Sequence, residues 1–143
     1  MSDLFVWRQE PLGDDPGAVT RALTEAFAAV REALEERRPV VVVVAAGDLL
    51  GQGEPLDAAV ATGLLGMVRT LGIEGARPGW RINVLAAPGI AAHRGEGALA
   101  VAAADEAADE EDPVALTIAM LAESALTGQL LQAGGANLGK LPA

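Results

Sequence analysis

Five consecutive valines, Val40 to Val44, constrain this chain more than any other stretch. β-Branched side chains stiffen an extended backbone, and a strand that is apolar on both faces is stable only where both faces are covered. Such a strand belongs in a parallel sheet between helical layers, and Val40–Val44 is its expected centre. The residues that follow, AAGDLLGQGEP, read as a glycine-rich loop at the carboxyl end of that strand, the side on which open α/β sheets bind ligands.

The remaining elements fit around it. DLFVW (3–7) reads as a strand leading into a Pro/Gly/Asp loop, and Asp15-Pro16 offers a capping acceptor and a proline at a first helical position. From there Val19, Leu23, Ala26, Phe27, Val30 and Leu34 recur at helical spacing. The predicted helix spans 16–38, ending before Pro39 with Arg37 and Arg38 at the negative end of its dipole. A second helix is predicted over 56–74, carrying Val60, Leu64, Met67, Val68 and Leu71 and ended by Gly75. WRINVLA (80–86) reads as the next strand, closed by Pro88-Gly89. A short helix near 97–108, a helix from Asp112-Pro113 to about 126 and a strand at 129–132 complete the order β-α-β-α-β-(α)-α-β. Helical crossovers require parallel neighbours, so the fold class is α/β: three layers, a Rossmann-like parallel sheet of about four strands with helices on both faces.

Composition narrows the function classes. The chain has 143 residues, 51% of them hydrophobic, enough for one domain with a real core. Its formal charge of −10 repels the phosphate backbone, which argues against nucleic acid as a partner. Part of that charge is local, in Asp105, Glu106, Asp109, Glu110, Glu111 and Asp112, and is best read as a solvated surface. With no cysteine there is neither a disulfide framework nor a thiolate metal site. The longest uninterrupted apolar run, Val40 to Ala46, is far shorter than a membrane span, so the expectation is a cytoplasmic protein with no membrane partner.

Two stretches carry a family likeness. GLLGMVRTLGIEGARPGWRINVLAAPG resembles the active-site helix and following strand of short-chain dehydrogenases/reductases, and LTGQLLQAGG resembles that family's last turn and strand. DLFVW resembles its fourth strand. The resemblance implies strands four to seven of a seven-stranded fold: residues 1–143 as a single truncated domain without the N-terminal dinucleotide-binding half. No early strand–GxxxGxG–helix is present to set a pyrophosphate on a helix N-terminus.

The resemblance also implies where catalysis would sit, and those positions are degenerate. Aligning Thr62-Gly63-Leu64 with the family's helix puts Asp57 at the tyrosine and Ala61 at the lysine, while the serine falls at Ala46. Independently of any alignment, the chain contains no tyrosine, and its one lysine is Lys140. A carboxylate ionises roughly six pH units below a phenol and cannot donate the proton that the tyrosine supplies. Hydride transfer is not expected, and neither a nicotinamide nor a metal cofactor is.

Other candidate groups have plainer explanations. His93, the only histidine, stands in a Gly-flanked loop and reads as an exposed loop residue. Ser124 and Thr127 suggest helix-end hydrogen bonding, and Gly134-Gly135 a turn. Asp48 and Asp57 flank the ligand-side loop, where first-turn carboxylates ordinarily stabilise a helix dipole.

Two functions follow. One is a non-catalytic subunit acting in oligomer assembly, as a homodimer or docked on a full-length dehydrogenase. The resemblance implies that the helices at 16–38 and 56–74 pair across a two-fold axis, through Val19, Leu23, Phe27, Val30, Leu64, Met67, Val68 and Leu71. The alternative is a small enzyme or ligand-binding protein using His93, Asp48 and Asp57 at the loop ends, without a nicotinamide cofactor. A lone edge strand at 3–7 also calls for a cover, from the 91–112 segment, a second copy or another protein.

Overall fold

A computed structural model describes residues 3–88 and 112–133. The helix expected at 97–108, His93 and Gly134-Gly135 lie outside the described residues. Four strands, β1 (Phe5–Arg8), β2 (Val40–Ala45), β3 (Ile82–Ala87) and β4 (Leu130–Gln132), form one parallel sheet in the order β1-β2-β3-β4. Val40 pairs with both Phe5 and Ile82, so the valine run does sit inside the sheet. Between the strands run α1 (Gly17–Glu35), the short α2 (Ala46–Leu49), α3 (Pro55–Glu74) and α4 (Pro113–Glu123).

The pleat divides the valines between two cores. Val40, Val42 and Val44 face α1 and α3 together with Ile82 and Val84, while Val41 and Val43 face the α4 side with Leu85 and Leu121. Each is at most 7% exposed, and burying one such side chain contributes about 1.5–3 kcal/mol. The result is three layers, helix on sheet on helix.

At the sheet's edge, Phe5 and Gln9 donate their N–H groups to Pro39 O and Val43 O. Alternation along the strand then turns the N–H and C=O of Val6 and Arg8 outward. Among the described residues no strand pairs with that edge.

Several boundaries depart from expectation, each for a local reason. The first strand is shifted toward the C-terminus because Asp3 is occupied elsewhere, its carbonyl and carboxylate both bound by Arg38. The glycine-rich loop contains a helical turn, α2. The first helix stops before Pro39, where Arg37 adopts a left-handed φ of 62°. Arg38 N–H donates to Ala33 O and Arg37 N–H to Leu34 O, both at 2.9 Å, the paired bonds of a Schellman turn. Glycine normally occupies that turn, and a side chain there costs about 1–2 kcal/mol.

Gly75 does end α3, but at φ −80°, so conformational freedom is not the reason. A Cβ at Gly75 would lie 2.6 Å from the Trp80 Cβ, and glycine is required by that approach. The last helix ends at Glu123 rather than near 126, because Arg81 Nη1 donates to the Ala122 and Ser124 carbonyls and Ser124 turns extended.

Candidate functional site

Ligand chemistry in a sheet of this kind belongs at the carboxyl ends of the strands. Here the described parts of that end are the 9–16 loop after β1, α2 after β2 and the N-terminus of α3. Asp57, in the first turn of α3, is 6% exposed and accepts the Leu12 N–H at 2.9 Å. The carboxylate therefore fastens the loop after β1 to the start of α3, across 45 residues of sequence.

Next to it the loop is held by its own side chains: Trp7 Nε1 donates to Gln9 Oε1, and Gln9 Nε2 to Glu10 O. An open groove of about 330 Å³ lies beside this loop, lined by Trp7, Gln9, Leu12, Arg21 and Glu25 among others. Asp15 holds one of the lining residues, accepting Arg21 Nη2 at 2.6 Å along with the Gly17 N–H at 2.9 Å. The Arg21 guanidinium first, and the Gly17 N–H second, hold the Asp15 carboxyl below its usual range.

Asp48, expected to flank the loop, is 4% exposed within α2. It lies so close to Gly53 that a Cβ there would overlap its carboxylate. The two aspartates are thus built into the turns on either side of the α2–α3 connection rather than projected toward solvent. Among the described residues, no three of His, Cys, Asp and Glu come together where they could hold a metal ion.

Ala46 and Ala61 are 3% and 1% exposed and contribute only methyl groups, Ala61 to the core beneath α3 and Ala46 to a small cluster with Ala86. The three positions aligned with the family's catalytic set thus present two hydrocarbons and one committed carboxylate. None of these three side chains carries a phenol, hydroxyl or ammonium group.

The eight residues expected at an interface divide. Val30, Leu64, Val68 and Leu71 are at most 2% exposed and pack on the protein's own sheet, a correction to their expected outward role. Val19, Leu23 and Met67 are partly buried at the margin of that core, and Phe27 is 47% exposed. Phe27 and Met67 flank an open groove of about 440 Å³ between α1 and α3, with Arg31, Gly66, Thr70 and Glu74.

Ser124 behaves as expected at a helix end, its hydroxyl accepting the Leu126 N–H. Thr127 does not: its hydroxyl accepts the Ile82 N–H at 3.1 Å and braces β3.

Sequence reasoning missed Asn83. It is 2% exposed, donates to Leu126 O and accepts the Gln129 N–H, clamping the approach to β4 onto β3. Its one signal was a polar residue inside an otherwise apolar buried strand.

No protein-family model matches the sequence, and no curated protein sequence does. The backbone is similar to the crystal structure of an oxidoreductase of the short-chain dehydrogenase/reductase family from Burkholderia thailandensis, with a TM-score of 0.68 and 20% identity. The match covers 97% of this chain and 65% of that one. The fold is thus a Rossmann-like α/β fold similar to that of a short-chain dehydrogenase/reductase. At 20% identity the likeness speaks to the backbone alone.

Proposed function

We propose that this protein is a non-catalytic subunit with a short-chain dehydrogenase/reductase fold, and that it acts in oligomer assembly. It pairs with a second copy, or docks on a full-length dehydrogenase, through the outer surface of α1 and α3. The observation that carries the non-catalytic reading is the bond between Asp57 and the Leu12 N–H. Where the family resemblance puts the tyrosine, this chain has a buried carboxylate already used to hold a loop. The sequence has no tyrosine at all to supply a phenol from elsewhere.

The assembly reading is supported by the surface that remains. Phe27, 47% exposed, lines a groove with Gly66, Met67 and Leu71 in which only Arg31, Thr70 and Glu74 are polar, and Ile73 elsewhere on α3 is 78% exposed. Large apolar side chains grouped around a groove mark interaction sites more often than isolated ones do.

Sedimentation at micromolar concentration tests it. The wild-type chain is expected to run as a dimer or larger, and Phe27→Glu as a monomer with an unchanged melting temperature, since Phe27 is outside the core. A monomeric wild-type chain that also retains no dehydrogenase from the native host would overturn the assembly role.

A further inference from the structure

The chain is acidic overall, yet its positive charge is concentrated at one end of the sheet. Of its ten basic residues, Arg37 and Arg38 precede β2, Arg77 and Arg81 precede β3, and Arg31 lies over the Trp80 ring at 5.4 Å. Val40 pairs with Ile82, so the two turns that lead into these strands are neighbours. This is the amino end of the strands, opposite Asp57 and the 9–16 loop.

A small cavity of about 40 Å³ opens between the two turns, lined by Arg37, Arg38 and Arg81 with Pro39, Pro78 and Trp80. Two of the three guanidiniums are partly engaged. Arg38 binds Asp3 at 3.2 Å, lies 3.8 Å from the Glu36 carboxylate and stacks over Phe5, and Arg81 spends Nη1 on the Ala122 and Ser124 carbonyls. The Arg37 side chain, by contrast, has no hydrogen bond or ion pair among the described residues.

Arg37 is also the one described non-glycine residue at positive φ. Its place in the Schellman turn is one that glycine fills at least cost, and Arg38 already supplies a cation at the end of α1. An arginine kept where the backbone favours glycine points to a use for its side chain.

We propose that this cleft is an oxyanion site for a phosphate group. A cavity of this size holds about three waters, the scale of one tetrahedral anion. Guanidinium groups arriving from two separate turns suit a dianion with acceptors on several sides.

Backbone and indole N–H resonances of the full chain, titrated with inorganic phosphate at constant low ionic strength, test this. Saturable shifts are expected at 37–38, at 81 and at the Trp80 indole, with a dissociation constant of order 1–10 mM for isolated phosphate. Glycerol phosphate binding several times tighter than phosphate would assign the site to a phosphorylated small molecule, and equal affinity to free phosphate. Arg37→Gly is expected to weaken binding roughly fivefold or more while its melting temperature stays the same or rises. Shifts that fail to saturate by about 50 mM, or that acetate or chloride reproduce, would overturn the site. So would an Arg37→Gly variant that binds equally well or melts lower, because the arginine would then serve the fold.

Discussion

Helix α3 carries two glycines for which the same substitution should have opposite effects. At Gly72 an added Cβ would stand 2.7 Å from the Gly128 Cα and 2.9 Å from its N, both backbone atoms that cannot swing aside. Gly128 is itself pinned, at φ +69° with its N–H on Ile82 O at 2.7 Å. Gly72→Ala gains about 0.5–1 kcal/mol of helix propensity. Against it stand about 1–3 kcal/mol for overpacking and about 1 kcal/mol for each strained bond at Gly128 and Thr127. The net is a loss of about 2–4 kcal/mol. At Gly66 an added Cβ meets nothing within 4 Å, so only the propensity gain of about 0.5–1 kcal/mol remains. Urea unfolding followed by the fluorescence of Trp7 and Trp80, at concentrations low enough for a monomer, should move the two midpoints in opposite directions. Equal signs would refute the geometry. If α3 packs on a partner helix across Gly66, Gly66→Ala should also weaken assembly while it stabilises the monomer.

Three further outcomes are expected. Asp57→Ala leaves the Leu12 N–H without its acceptor and removes a first-turn carboxylate, so it should cost about 1–3 kcal/mol in urea unfolding; a neutral result would release Asp57 from its structural role. Because the Asp15 carboxyl titrates below its unfolded value, its contribution is present above that value and lost as the pH falls through the folded one. Wild type should therefore exceed Asp15→Asn in melting temperature at neutral pH, with the gap closing below about pH 4. Calorimetric titration with NAD or NADP should give no saturable heat, and micromolar affinity would contradict the non-catalytic reading.

The sequence made the layers legible because its signals there were unambiguous. Five valines admit little but a doubly covered strand, and Asp112-Pro113 does cap α4 through the Val114 N–H at 3.0 Å. It was a poorer guide to which residues face inward. On α1 the expected stripe included Phe27, yet the buried face is Ala22, Ala26, Val30, Ala33 and Leu34. Two helices this close together bury alanine and leave the larger ring at the rim, a choice set by interhelical distance and not by hydrophobicity. Gly72 and Asn83 were illegible for a related reason: each is explained by a neighbour distant in sequence, Gly128 for one and Leu126 with Gln129 for the other, which no local pattern encodes.

The same ambiguity on α3 bears on function. This helix is long and apolar enough, by length and composition, to cross a membrane, with a mean hydropathy of 1.4 over its most apolar window, although only 39% of that window is buried. The expectation from uninterrupted apolar runs overlooked it, because glycines and an arginine break the run without making it polar. Its packing explains part of that character: Val60, Ala61, Leu64, Val68 and Leu71 meet the sheet and α1. What the core does not use is Gly66 and Ile73, and Met67 is only partly covered by it, on turns that a self-contained helix would make charged. The proposed packing of α3 on a partner would cover this apolar surplus, which lies on the same helix as Asp57 and Ala61.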